Sequence, residues 1–468
     1  MKKTIIALLV LLLAAGGSLG AYYAVKDKKD TESRQEQELV ESYSLFSFDA
    51  EKINKVDIHC PDGDYTCSYD GETWTLDGEE STFRVDQEYM QGVVNFTSYL
   101  TAVTSYSGDD EKKAEYGLDD PYIITLYSDT ESYTVYTGDV SPTGEYCYTM
   151  LDGRDSVYAI DAGYEAYLRP TRMLMKSKHL IPYKDSEVIG VKLVSGGSTV
   201  YDLTFDTESK VWSLPDEYSM LTFDQTAVDT MVINMGNTEA SYEHMLEEHL
   251  EDLSKYGFDD PTAELFVTGA DGSVCHLLFS NSKDETGRIM SVLNTEDNQV
   301  SMYATSALSF LNSRPYDFLA HSDRRSYIYT VPEFTLTYNG KEHHITYDNE
   351  NSKVVFDGTE VLLDTSEKAL SYQSMFDCLG IIYLADTDID ADPELKDPLV
   401  SADIHVNDGT SYTYDIVDAG NDLCYVFIDG KYTGGLISKK NIVGRDSFNQ
   451  FYNRFLESTG LSEETTEE

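Results

Sequence analysis

The run Asp386-Thr387-Asp388-Ile389-Asp390-Ala391-Asp392 places a carboxylate at every second position, and Asp397 follows further along. Oxygen ligands at the first, third, fifth and twelfth positions of such a run, Asp386, Asp388, Asp390 and Asp397, have the spacing of a calcium loop. Three features weigh against it. Ala391 stands where the loop needs glycine, Asp397 reaches less far than glutamate, and Pro393 interrupts. The competing reading is an acidic linker. His244-Met245-Leu246-Glu247-Glu248-His249 is slightly longer than the inverted zinc-protease motif H-x-x-E-H. On a helix that spacing turns the two imidazoles about 140° apart, so a solvated face is expected in place of a zinc site. His343-His344 falls in a strand-like run, where neighbours point to opposite faces and do not chelate together. There is no G-x-x-x-x-G-K-[ST] phosphate loop and no G-x-S-x-G elbow. The expectation is no catalytic residue, no cofactor-binding residue, and no metal beyond the calcium candidate.

Paired aspartates also occur in a phrase written twice. Tyr116-Gly117-Leu118-Asp119-Asp120-Pro121 returns further down the chain as Tyr256-Gly257-Phe258-Asp259-Asp260-Pro261. A worn third copy, Leu395-Lys396-Asp397-Pro398, follows after nearly the same interval. A fixed long period marks one supersecondary unit used repeatedly. The glycine suits a residue with positive φ just past a helix, the next apolar residue packs back on the last turn, and Asp-Asp-Pro stops the helix. The phrase therefore reads as a joint between helix and sheet, with a carboxylate active site as the lesser alternative.

The elements around that joint repeat as well. Each copy opens with an antiparallel meander: Val56-Asp57-Ile58, Tyr65–Tyr69 and Thr73–Leu76; then Val191-Lys192-Leu193, Tyr201–Phe205 and Val211–Leu214; then Phe334-Thr335-Leu336, His344–Tyr347 and Val354–Phe356. Trp74 and Trp212, the only tryptophans, are separated by almost the same interval as the two phrases and read as core anchors. In the third copy Phe356 keeps an aromatic there. Helices are expected over Asp86–Val103, Asp224–Met235 and Thr365–Leu379, with a second helix, Tyr242–Lys255, in the middle copy. Further strands close each module, with hairpin turns at Asp152-Gly153 and Asp429-Gly430. The fold class expected is α+β, three tandem repeats of about 140 residues after one N-terminal transmembrane helix. The borders are 1–29 anchor, 30–47 stalk, 48–185, 186–326 and 327–458 repeats, and 459–468 an acidic tail.

Charge and the amino terminus bound the setting. The chain of 468 residues carries a net charge of −50, yet 41% of it is apolar, enough to build cores. Such a surface repels nucleic acid and anionic headgroups, so a nucleic-acid role is excluded. The acidity serves solubility or, alternatively, cation binding. Thr4–Val25 is uncharged and flanked by lysines. As a helix this stretch would span about 33 Å. That is long enough to cross a bilayer, and an uncleaved anchor is favoured over a cleaved signal. The six cysteines are too few for a disulfide framework in a chain of this length. A cross-strand bridge between Cys60 and Cys67 is one reading. Cys147 and Cys424, two repeat periods apart, are expected as small buried residues of the same strand in two modules. The 36 tyrosines invite a sugar-binding reading, against which stands their fitness for half-exposed strands.

The Trp74-Thr75-Leu76 strand, the helix after it, the Tyr116–Pro121 phrase and the closing strands around Tyr146–Ile160 resemble the domain of unknown function 4340 family. The resemblance is good over residues 48–320 and weaker over 330–458, where the Tyr-Gly pair is missing. It implies a bacterial, membrane-anchored, extracytoplasmic protein, often accessory to ABC-type export systems like those of gliding motility. It supplies no catalytic residue. The expectation is a non-enzymatic, single-pass accessory or scaffold protein with ABC transporter permease subunits as partners. The alternative is a cell-surface glycan- or cation-binding module, with calcium as its cation.

Overall fold

The computed structural model describes residues 43–461, apart from 79–82, 107, 109, 241–244 and 284–285. The expected anchor and most of the stalk lie outside the described residues, as do His244 and the end of the acidic tail. Among the described residues no helix is long and apolar enough to cross a membrane. The chain divides into two compact units, Met1–Ser177 and Lys178–Glu468. It is an α+β protein, mostly antiparallel sheet with few helices.

The first unit contains β1 (Tyr43–Ser47), β2 (Lys55–Cys60), β3 (Gly63–Tyr69), β4 (Trp74–Leu76), β5 (Tyr99–Ala102), β6 (Thr104–Tyr106), β7 (Tyr122–Tyr127), β8 (Ser132–Val140), β9 (Tyr146–Leu151) and β10 (Val157–Asp161). Eight of these form one sheet in the order β4-β3-β2-β7-β8-β9-β10-β6, while β1 pairs separately with β5. The second unit begins with β11 (Val188–Ser195), β12 (Ser198–Asp206), β13 (Val211–Ser213), β14 (Met245–Glu248), β15 (Ala263–Gly269), β16 (Val274–Lys283), β17 (Ile289–Asn294) and β18 (Gln299–Ala304). Their order, β13-β12-β11-β15-β16-β17-β18-β14, repeats that of the first sheet position by position. The rest of this unit supplies β19 (Ser322–Arg324), β20 (Glu333–Tyr338), β21 (Lys341–Asp348), β22 (Lys353–Phe356), β23 (Thr359–Leu362), β24 (Ile381–Thr387), β25 (Val400–His405), β26 (Ser411–Gly420), β27 (Leu423–Ile428) and β28 (Lys431–Ser438). Here the same eight positions are filled, and β19 and β23 add one strand at each edge.

Each sheet buries one face against a helix. Alternation along β2 sends Val56, Ile58 and Cys60 inward, where they meet Met90, Val93 and Val94 of α1 (Gln87–Ser98). The matching helices are α2 (Gln225–Gly236) and α3 (Ser366–Gly380); α4 (Phe448–Thr459) adds Phe448, Tyr452 and Phe455 to the third core. Asp86, Asp224 and Thr365 cap α1, α2 and α3, their side-chain oxygens accepting backbone N–H bonds of the first turn.

Four expectations need correction. The first helix ends at Ser98 and does not run to Val103; Tyr99–Ala102 alternates exposed and buried, the period of a strand, and pairs with β1. The expected second helix over Tyr242–Lys255 is absent from its described part. Met245–Glu248 pairs with β18, His249 has φ 58°, and only Leu253–Tyr256 turns, as a short 3-10 helix. A free sheet edge supplied backbone partners that outweighed a weak helical pattern. Cys60 and Cys67 do not bridge, and none of the six cysteines, all of them among the described residues, is in a disulfide. The ladder sets Cys67 opposite Val56 and Cys60 opposite Gly63, so the two thiols never face each other. In the third sheet Val354, opposite Tyr347, takes the tryptophan's place, while Phe356 occupies the position of Leu76.

A short lead segment precedes each sheet and pairs with the chain just after the helix. β1 pairs with β5, His179 bridges Glu239, and β19 pairs with β24. These segments lie ahead of the borders expected from the sequence.

Candidate functional site on the outer face of the second sheet

The residues singled out for chemistry are mostly engaged in holding the fold. Gly117 and Gly257 have φ 68° and 74°, the left-handed region that closes a helix without a Cβ penalty. The N–H of Leu118 donates to Lys113 O, and that of Phe258 to Leu253 O, both at 2.9 Å. Each joint docks on its sheet: a Cβ on Gly117 would meet Asp139 Cγ at 2.5 Å, and one on Gly257 would meet Asn281 Oδ1 at 2.2 Å. The paired aspartates, Asp119-Asp120 and Asp259-Asp260, face solvent. The phrase is thus a joint, and its Tyr116 lies on Tyr148 of β9 with ring centroids 4.3 Å apart.

In the calcium candidate, Asp386 is at the end of β24, 3.4 Å from Arg314 Nη1. Asp388 Oδ1 accepts the N–H of Ala391 within its own turn. Asp390 and Asp397 follow in a stretch without regular structure, Asp397 at φ 48°. Among the described residues no three His, Cys, Asp or Glu side chains are grouped to hold a metal. His343 and His344 do point to opposite faces. His343 is buried between Asp357, 2.7 Å from Nδ1, and Tyr452 Oη, 2.8 Å from Nε2; His344 is exposed.

Cys147 and Cys424 are buried in equivalent strands, β9 and β27, as expected. Burial pushes the thiols of both up to about 11 and that of Cys67 up to about 12. A thiol held protonated is a poor nucleophile near neutral pH.

Sequence reasoning missed a polar clamp. Gln87 Nε2 donates to Trp74 O at 2.9 Å, and its Oε1 accepts the Trp74 N–H at 2.6 Å. Gln225 does the same for Trp212, at 2.7 and 2.6 Å. The first residue of the helix thereby closes the free edge of β4 or β13. The signal was present: Gln87 and Gln225 recur at the same interval as Trp74 and Trp212.

What remains open is the outer face of the second sheet. Its β16–β18 side is covered by Leu250 and Phe258, which pack on Leu278, Leu293 and Val300. Its β12-β11-β15 side holds an open depression of about 480 Å³. Register places Asp202, Lys192, Phe266 and His276 in one row across β12, β11, β15 and β16. The neighbouring row is Thr204, Gly190, Thr268 and Val274. Lys192 Nζ is 3.4 Å from Asp202 Oδ2. Phe266 and His276 stack at 4.2 Å with an interplanar angle of 8°, and His276 Nε2 is 2.9 Å from Glu264 Oε2. The arrangement offers a flat apolar wall beside a donor and an acceptor whose charges cancel.

Fold and site together define an α+β protein of antiparallel sheets. Residues 74–220 match the family described as Domain of unknown function (DUF4340), from the first tryptophan to just past the second. This supports the resemblance drawn from the repeated motifs, and the family's description assigns no activity. No curated protein matches the chain. A solved mosquitocidal holotoxin aligns over 83% of this chain at 9% identity and a TM-score of 0.09, a likeness too low to carry an argument. The chain spans 57% of that toxin's length.

Proposed function

We propose that the chain is three tandem copies of one module, carried outside a bacterial membrane on an N-terminal anchor, and that it acts without catalysis as an accessory or scaffold of a membrane export complex. The observation that supports this reading best is the repetition. Three sheets use one strand order, and the joints and clamps of the first are copied in the second, so most conspicuous polar residues serve the frame. Repeated frames of this kind present side-chain faces for binding while the backbone stays the same. The uncharged Thr4–Val25 stretch and the acidic remainder are consistent with an anchored chain whose bulk lies away from anionic headgroups. The family resemblance points to ABC-type permease subunits as the partner.

The test is affinity purification of the full chain from detergent-solubilised membranes, followed by mass spectrometry. Permease or ATPase subunits recovered in fixed ratio are the expected result. Their absence from cross-linked and uncross-linked preparations alike counts against the proposal. Removal of residues 1–29 should release the chain from the membrane fraction.

A further inference from the structure

We infer that the depression on the outer face of the second sheet is a saccharide site, seating one pyranose ring of a neutral or N-acetylated glycan against Phe266. The inference stands apart from the scaffold reading and can fail or hold without it.

The floor is made by an absence of side chain. Gly190 lies where the first sheet carries Lys55 and the third carries Glu333, as the paired registers show. The wall is Phe266. Its 4.2 Å stacking on His276 is close to the spacing of adjacent strands, so both rings stand upright with their faces looking across the sheet. His276 covers one face of Phe266 and is itself held by Glu264. The other face looks toward β11, where Lys192 stands directly opposite and reaches back to Asp202, and Gly190 lies in the next row beside Thr268.

Polar groups complete the far side. Lys192 and Asp202 form a half-exposed pair, and Thr204 and Thr268 bring hydroxyls to either flank. A pyranose presents a face of C–H bonds that stacks on a flat ring, and hydroxyls at its rim that both donate and accept. Aromatic wall and paired donor and acceptor meet those two demands separately. The pair is electrically balanced, which suits a neutral ligand; a metal ion or an anion calls for an excess of one sign. The volume falls in the range of small-molecule sites, about 300–1,000 Å³.

The other two sheets lack the constellation. The first sets Thr125 and Thr134 in place of Phe266 and His276, with their hydroxyls bonded at 3.0 Å. The third has Asp403 and Thr413 there. At these register positions neither of the other two sheets carries an aromatic pair.

The test uses the full-length chain in detergent on an array of neutral, N-acetylated and anionic oligosaccharides, followed by calorimetric titration of the strongest binder. Binding of a neutral or N-acetylated oligosaccharide is expected. Phe266→Leu keeps the bulk but loses the flat face, and should weaken binding about tenfold. Phe266→Tyr should retain it. Gly190→Lys installs the side chain found in the first sheet, its Cβ 3.1 Å from Thr268 Oγ1, and should abolish binding in a chain that a cooperative melting transition shows to be folded. The inference is overturned if no oligosaccharide binds, if the Phe266→Leu and Gly190→Lys variants both bind as the parent does, or if only sulfated or uronic chains bind.

Discussion

The outer faces of the first and second sheets differ where their inner faces agree. Inward, Val56, Ile58, Leu126 and Trp74 correspond to Val191, Leu193, Val267 and Trp212, all buried. Outward, the row Thr66, Asp57, Thr125, Thr134 corresponds to Asp202, Lys192, Phe266, His276. Packing tolerates little change in volume or polarity on the buried side. On the other side a residue needs only to suit a strand, so two sheets of one strand order differ most in their outward residues. The third sheet makes the same point at its edge. There β23 pairs with β22 and covers the edge that a glutamine clamps in the other two.

The largest losses are expected in the buried faces. Trp212→Ala and Trp74→Ala should each cost about 3–5 kcal/mol, read as a shift in the denaturation midpoint. Near-equal losses support two equivalent frames. Removing the clamp with Gln225→Ala leaves the Trp212 N–H and C=O without those partners and should cost about 1–3 kcal/mol. Indifference to that change would mean that water serves the edge as well as the glutamine does.

Trp212 Nε1 donates to Asp229 at 3.2 Å, while Trp74 Nε1 has no partner among the described residues. Trp212→Phe should therefore be the more costly exchange by about 1 kcal/mol. Phe266→Thr, which writes the first sheet's residue into the second, removes the stack on His276 and should cost no more than about 0.5–1.5 kcal/mol. A larger loss would place Phe266 in the frame and not in a site.

The smallest effect is expected of the thiols. Their folded-state pKa values lie above the ordinary value of 9.0, at about 11 for Cys147 and Cys424 and about 12 for Cys67. The stability they contribute is complete below that ordinary value and is lost as pH rises through 11 to 12. At about pH 8, below the ordinary thiol pKa, iodoacetamide should therefore leave all three unlabelled in the native chain and label them in urea, as mass spectrometry of peptides would show. Rapid native labelling would contradict their burial.

Much of the frame was legible because repetition amplifies weak signals. Trp74 and Trp212, the glycine joints, the three long helices and the two buried strand cysteines could each be checked against a second copy. The expected helix over Tyr242–Lys255 failed where no copy existed to check it, and where the edge beside β18 made a strand the better conformation. The bridge between Cys60 and Cys67 failed because sequence proximity says nothing of register: a hairpin sets Cys67 against Val56. The candidate site was the least legible part. Phe266 and His276 belong to the adjacent strands β15 and β16, while Lys192 and Asp202 come from β11 and β12, with β13, α2 and β14 intervening in the chain.

The sequence by itself determined which motifs recur, where the helices beside them are capped and how the joints turn. These depend on local geometry: side-chain oxygens reaching the first N–H groups, glycine at positive φ, alternation along a strand. Tertiary structure alone decided which edges are closed and by what, which cysteines stay apart, and which outward residues share a row. Those outcomes depend on strand order and register, and a single-step shift in register would have sent every one of those side chains to the opposite face.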